Sequence, residues 1–146
     1  MITETYKYLS TNTKTQFVFQ SEGIQGNIIK IVQFSFLNNG KCNLGFGDFK
    51  AGTIDDKVLS NNQDAIRVIR TVAKITIEFF EKYPKSRVII DPVDEKRKKL
   101  YNIVFKRHFK EIEANFQIIG YIEDRAEAYM PKNFYDSFEI SLKFEL

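Results

Sequence analysis

The sequence is poor in the residues that stabilise small secreted domains or bind structural metals. Among 146 residues there are one Cys (Cys42), one His (His108), three Pro and no Trp. A single Cys excludes an internal disulfide, and one Cys with one His gives too few ligands for a structural zinc site. The chain must therefore depend on a hydrophobic core, which a domain of this length can build.

Two further absences concern location. No uncharged apolar run approaches the ~20 residues that span a membrane. The amino terminus, Met-Ile-Thr-Glu, lacks the basic-then-apolar order of a secretory signal. We therefore expect a mature cytoplasmic chain that does not bind membranes.

Aromatic residues and an uneven charge distribution are what the sequence has in quantity. Aromatics make up 14%, with 14 Phe and 7 Tyr, which favours a core built on a sheet. The formal net charge is only +3, but residues 61–114 carry +5 and residues 115–146 carry −3. An acidic partner would therefore meet the middle of the chain, although the modest total argues against a dedicated nucleic-acid binder.

Periodicity predicts the first half of the fold. Three strands are expected at Thr15 to Ser21, Asn27 to Leu37 and Lys41 to Phe49, with a tight hairpin at Asn38-Asn39-Gly40. Either Asn61 or Asn62 is a suitable N-cap for a helix that runs to about Lys82. The expected inward residues of this helix are Ile66, Ile69, Ala73, Ile77 and Phe80.

The second half continues with one buried strand, one helix and two more strands. Tyr83-Pro84 ends the first helix, and Arg87 to Asp91 is a short Val/Ile strand for which we expect a parallel neighbour. Asp94 is placed to cap the next helix, whose expected inward residues are Leu100, Tyr101, Val104, Phe105 and His108. The last strands are Phe116 to Glu123 and an alternating segment from Phe138 to Leu146. The order βββ-α-β-α-β-β predicts a single α/β (α+β) domain, residues 1–146, with a mixed, curved sheet.

This order is similar to that of the GNAT acetyltransferase superfamily from its second strand onward, over residues 15 to 146. Tyr101 matches the tyrosine of a pattern on the superfamily's penultimate helix, and the resemblance implies that Tyr101 is the candidate proton donor. The superfamily holds acetyl-CoA with a Gly-containing turn, whereas Leu59 to Arg67 contains no Gly. We therefore expect no cofactor and no acetyltransferase activity, and acetyl-CoA stays the cofactor to test.

Three short patterns resemble a second family. They are Asn-x-Asp-x-x-Arg-Val-x-x-Thr-Val-Ala from Asn62 to Ala73, Tyr83-Pro84, and Arg-x-x-Leu-Tyr from Arg97 to Tyr101. The chain thereby resembles an uncharacterised family of small proteins, mostly from Bacteroidota, without an established activity. Where that family has a small polar turn after the middle strand, this chain has Asp91-Pro92-Val93-Asp94, so a site on that turn is expected to differ.

Charged residues at the ends of helices and strands are candidate ligand-binding residues. Arg67 and Arg70 lie in the opening turns of a helix, where cations oppose the macrodipole. They form either an anion site with the helix-start N–H groups or ion pairs with Asp55, Asp56 or Asp64. Asp91 and Asp94 follow a strand's carboxyl end, where they act either as acid, base or cation ligands, or as turn and cap residues.

The run from Glu95 to Lys99, with Lys106, Arg107 and Lys110, is either a phosphate-binding surface with Tyr101 or Tyr129 for stacking, or a solvated helix face.

The sequence is compatible with three functions. The sequence favours a non-catalytic binding domain for an anionic small molecule or a protein. One alternative is an acyl-CoA-dependent N-acyltransferase that binds its cofactor in an atypical way, and the other is a nucleic-acid-binding or toxin-like protein. The sequence also allows a homodimer. The predicted ligand-binding residues are Asn61, Asn62, Arg67, Arg70, Asp91, Asp94, Arg97, Tyr101 and Tyr129, and no metal site is predicted.

Overall fold

The computed structural model describes residues 4–24, 26–50, 53–55, 64–92 and 94–143. The strands in these ranges are β1 (Tyr8–Ser10), β2 (Gln16–Gly23), β3 (Gly26–Phe36), β4 (Lys41–Lys50), β5 (Thr53–Asp55), β6 (Arg87–Ile90), β7 (Phe116–Ile122), β8 (Arg125–Ala128) and β9 (Ser137–Leu142). The helices are α1 (Ala65–Lys82), α2 (Glu95–Arg107) and α3 (Phe109–Glu113). The chain forms two compact units, Met1–Ser35 with Gly45–Lys82, and Phe36–Leu44 with Tyr83–Leu146.

In the first unit, α1 packs on a sheet of β1, β2, β3, the second half of β4, and β5. The pairs β1 with β2, β2 with β3, and β4 with β5 are antiparallel. The ring of Phe34 stacks on that of Phe79 at 4.1 Å and meets Phe17 edge-on at 6.0 Å, so aromatic side chains join helix to sheet.

The inward side of α1 differs from the one expected. Val68, Thr71, Ile75 and Phe79 are fully buried, whereas Ile66 is 52% exposed. Phe80, also expected to face inward, is buried. Because this helix carries apolar residues on more than one side, periodicity identifies the helix without fixing which side packs.

In the second unit, β4, β6, β9, β7 and β8 follow one another across the sheet. The predicted parallel neighbour of β6 is β4, which pairs with it from Lys41↔Arg87 to Asn43↔Ile89. The other pairs are antiparallel, and they align a buried row of Cys42, Val88, Ile140 and Ile118 across four strands. Helix α2 covers this face through Phe105, whose ring stacks on Phe138 at 4.1 Å.

The turn before β4 and the mixed α/β class are both as predicted. Asn39 and Gly40 have φ of 70° and 73°, the positive values that the Asn-Asn-Gly sequence tolerates. In the described residues the last strand ends at Leu142, and residues 144–146 lie outside them. None of the described helices combines the length and apolar character that crossing a bilayer requires.

Candidate functional site

The start of α1 is organised by Asp64, which comes just before the helix. Its backbone carbonyl accepts the N–H of Val68 at 3.0 Å. Its side chain accepts hydrogen bonds at Oδ2 from the hydroxyls of Tyr6, at 2.6 Å, and Ser21. The carboxylate therefore ties the amino-terminal segment and β2 to the helix start.

Tyr6 is fixed at both ends by this arrangement. Its backbone N–H donates to Oγ1 of Thr71 at 2.9 Å, and its hydroxyl also lies 3.0 Å from the backbone carbonyl and N–H of Glu22. Burial, followed by the hydrogen bond to Asp64, raises the pKa of the Tyr6 phenol. The ring is thus held neutral and in one position.

Arg67 lies on the face of this ring. Its guanidinium carbon is 3.9 Å from the Tyr6 ring centroid, and the residue is exposed. Within the part of the chain that the structure describes, no carboxylate lies at ion-pair distance from Arg67, whereas Arg70 pairs with Glu4 at 3.6 Å. Of the ion pairs considered for these arginines, the one between Arg67 and Asp64 is not observed. The side chain of Asp55 and the residues Asp56, Asn61 and Asn62 lie outside what the structure describes.

A second polar group is buried on the sheet face of the same unit. Lys30 and Asp48 form an ion pair whose side chains are 1% and 0% exposed. Among the described residues, Asp48 Oδ2 and Asp64 Oδ1 are buried without a hydrogen-bond partner. Sequence reasoning missed Lys30, although it interrupts an alternating apolar row of Ile28, Val32 and Phe34, which marks its position as inward-facing.

In the second unit the structure brings Asp94 and Arg97 together. Asp94 accepts the backbone N–H of Arg97 at 2.9 Å and pairs with its guanidinium at 3.0 Å. Asp94 is therefore the N-cap of α2, as expected. Asp91 is exposed between β6 and α2, and Tyr101 is half-buried on α2.

Tyr129 is a packed residue. It is 7% exposed, and its ring centroid lies 5.3 to 5.8 Å from those of Phe105, Phe109 and Tyr135. Burial raises the pKa of its phenol. The ring also lines an open groove of about 390 Å³ between α3 and β7, bordered by Glu113 and Lys143.

Sequence reasoning also missed two buried polar groups of this unit. Asn102 binds the backbone of Tyr135 twice, accepting its N–H at 2.8 Å and donating to its carbonyl at 2.8 Å. Glu139 is 3% exposed and accepts a hydrogen bond from Tyr121 at 2.9 Å, so the strict alternation expected for the last strand is wrong at this position. Both groups are satisfied internally, which favours a structural role for each.

Over the described residues, no group of three or more His, Cys, Asp or Glu side chains is placed to hold a metal ion. The one cysteine, Cys42, is fully buried, and burial raises the pKa of its thiol to about 11. A protonated, inaccessible thiol is a poor nucleophile, so Cys42 is a core residue, as expected.

A family described as "Family of unknown function (DUF6934)" matches residues 2–143. The chain belongs to this family. No curated protein and no solved structure matches the chain. The expectation of an uncharacterised family is therefore confirmed, while the Bacteroidota origin and the three-part pattern stay expectations.

In this DUF6934 protein the described candidate residues divide between the units. Arg67 and Arg70 belong to the first, and the remaining ones to the second: Asp91, Asp94, Arg97, Tyr101 and Tyr129. Of the two arginines in the first unit, Arg67 is the exposed one, and its guanidinium lies on the Tyr6 ring.

Proposed function

We propose that this DUF6934 protein is a non-catalytic binding domain for an anionic ligand, which is held at the start of α1 in the first unit. The observation that supports this is the exposed guanidinium of Arg67, which lies 3.9 Å from the Tyr6 ring centroid and has no carboxylate partner among the described residues.

The contact between the Arg67 guanidinium and the Tyr6 ring favours anion binding. A guanidinium on an aromatic face is stabilised by about 0.5–1 kcal/mol at an exposed site and keeps its planar N–H edge available. That edge matches carboxylate and phosphate oxygens two at a time. Because Tyr6 is anchored to Asp64 and Thr71, the guanidinium is presented on a rigid surface rather than on a flexible stem alone.

The helix start adds to this preference. The N–H groups of Ile66 and Arg67 belong to the first turn of α1, where backbone donors have no partner within the helix. Together with the macrodipole, they favour negative charge close to Arg67. Asp64 directs Oδ2 to Tyr6 and Ser21, so it positions the ring without pairing with Arg67.

Calorimetric titration with inorganic phosphate, pyrophosphate, CoA and acetyl-CoA tests this proposal. We expect saturable binding of at least one probe and a loss of at least about tenfold in affinity for Arg67→Ala, since hydrogen bonds to charged groups contribute about 1.5–3 kcal/mol. Arg70→Ala is the matched control, because Arg70 pairs with Glu4. Absence of heat with all four probes, or equal losses in both variants, would contradict the proposal.

The same titration, followed by an assay for acetyl transfer, distinguishes a non-catalytic binding domain from the acyltransferase alternative. If acetyl-CoA binds and its acetyl group is transferred to an added amine, the protein is an enzyme, and the candidate proton donor Tyr101 becomes the next residue to substitute. Binding of CoA without transfer would support a binding domain whose ligand includes a phosphate group.

A further inference from the structure

One side of α2 carries a row of cations that the fold does not use. Lys96, Lys99, Lys106 and Arg107 are all exposed, and we refer to these four residues as the basic stripe. At 3.6 residues per turn they fall within a sector of roughly 100° around the helix axis. Lys110, in α3, is also exposed.

Ion pairing separates the stripe from the other cations of α2. Arg97 pairs with Asp94, and Lys98 pairs with Asp136 at 2.5 Å and with Glu95 at 3.8 Å. By contrast, no carboxylate of the described residues lies at ion-pair distance from any residue of the stripe. The acidic side chains near α2 thus neutralise its inner cations and leave the outer ones uncompensated.

Stability alone does not account for the stripe. Lys96 and Lys99 are three residues apart, a spacing at which like charges destabilise a helix. Both also lie in the first turns, where the macrodipole disfavours cations, although Lys106 and Arg107 at the other end are favoured by it. An external polyanion would remove both unfavourable terms.

We propose that the basic stripe binds the phosphate backbone of duplex nucleic acid without reading its base sequence. From Lys96 to Lys106, ten helical rises extend about 15 Å along the helix, which spans roughly four phosphates of one strand at about 3.4 Å each. The charge complementarity is direct, because ammonium and guanidinium groups replace the counterions condensed on the duplex.

The absence of rings on this side of α2 favours a duplex over a single strand. Proteins that hold single strands stack the bases on aromatic side chains. The remaining apolar residue of the stripe's sector is Ile103, which is 49% exposed, and helical spacing places Tyr101 on the opposite side. Tyr129 is buried. This proposal is independent of the anion site at Arg67, which belongs to the other unit.

Fluorescence anisotropy with a labelled duplex of mixed sequence, measured between about 50 and 200 mM salt, tests the proposal. Four phosphate contacts predict a slope of about −3.6 in a plot of log Kobs against log salt concentration. Lys99→Ala/Lys106→Ala should reduce the magnitude of that slope by about 1.8. Alanine keeps the helix propensity of these positions, so α2 is expected to remain folded, which circular dichroism checks.

The matched control is Lys7→Ala/Lys85→Ala, which removes two exposed lysines that do not belong to the stripe and lowers the net charge equally. This control should leave the slope unchanged. The proposal is overturned by absence of duplex binding at about 50 mM salt, by equal slope changes in both variants, or by a single strand of the same length binding at least about tenfold more tightly.

Discussion

At the scale of single residues, Gly120 shows how closely the second unit is packed. A Cβ placed on Gly120 would lie 2.3 Å from two carbons of the fully buried Tyr135 ring. We expect Gly120→Ala to lower the free energy of unfolding by about 1–3 kcal/mol, the usual cost of overpacking. Urea denaturation measures the change.

The control is Gly45→Ala, because a Cβ on Gly45 would come no closer than 3.8 Å to the carbonyl oxygen of Gln33. Its midpoint should stay close to that of the parent protein. Equal shifts in both variants would mean that β-strand glycines matter here for a reason other than contact with Tyr135.

The buried pair of Lys30 and Asp48 is the second residue-scale case. Both side chains are almost completely excluded from solvent. Removing one partner of such a pair leaves an uncompensated charge, so Lys30→Met should lower the free energy of unfolding by about 3–5 kcal/mol. Replacing both residues, as in Lys30→Met/Asp48→Leu, should recover most of that loss, because hydrophobic replacement of a buried pair is often neutral.

Urea unfolding of the two single variants and the double variant gives the coupling energy of the pair. If the double variant is as unstable as Lys30→Met, the pair does not owe its energetics to charge compensation. The cost would then lie in the packing of the replacement side chains.

At the scale of elements, substitutions at the start of α2 test the structural role of Asp94 as the N-cap of the helix. Its side chain accepts the N–H of Arg97, so Asp94→Ala should cost about 1 kcal/mol, the typical value of a lost N-cap. Asp94→Asn keeps an acceptor at the same position and should cost only a few tenths of that. Thermal unfolding compares them, and equal losses would show that the charge matters more than the cap.

The elements that the sequence predicts are those long enough to show a period. The sequence predicts the strands β2, β3, β4, β7 and β9, the helix α1 and the start of α2 near their observed bounds, since alternation or a 3.6-residue repeat extends over six or more residues in each. The four-residue β6 was found through its continuous Val/Ile content. By contrast, β1, β5 and β8 have three or four residues, too few to establish a pattern.

The candidate site was also predictable only in part, because a sequence pattern reports local features and not contacts between distant residues. A cation in the first turns of α1 violates a local rule, which made Arg67 visible in the sequence. The contact that gives Arg67 its position comes from Tyr6, which is 61 positions away in the numbering, and no local pattern encodes that distance. Asn102 was missed likewise, because its partner Tyr135 lies in a distant loop.

At the scale of the whole molecule, titration of hydrogen-bonded and buried groups sets the pH range of stability. On the acid side, hydrogen bonds from the Glu123 backbone and Lys98 lower the pKa of Asp136. A lowered folded-state pKa contributes stability that is present above the unfolded-state value near pH 4 and lost as the pH falls through the folded-state value. The urea midpoint should therefore decline below about pH 4, and Asp136→Asn should make the decline shallower.

On the alkaline side, burial is the largest cause that raises the pKa of Tyr6, Tyr8, Tyr121, Tyr129 and Tyr135. A raised folded-state pKa contributes stability that is fully present below the unfolded-state value near pH 10 and lost as the pH rises through the folded-state value. These tyrosines occur in both units, so the whole protein should lose stability above about pH 10.

Tyr129→Phe isolates one of these contributions, because the pKa of Tyr129 is raised by burial and by Tyr135, without the carboxylate hydrogen bond that also raises the pKa of the other four tyrosines. At neutral pH the substitution should change the free energy of unfolding by less than about 1 kcal/mol, since it keeps the ring and its packing. Above about pH 10 each such tyrosine contributes a slope of about −1.4 kcal/mol per pH unit, so the variant should lose stability less steeply by that amount. Urea unfolding at closely spaced pH values measures the slope, with tyrosinate absorbance as a parallel record of ionisation. An unchanged slope would show that the Tyr129 phenol ionises as readily in the folded protein as in the unfolded chain.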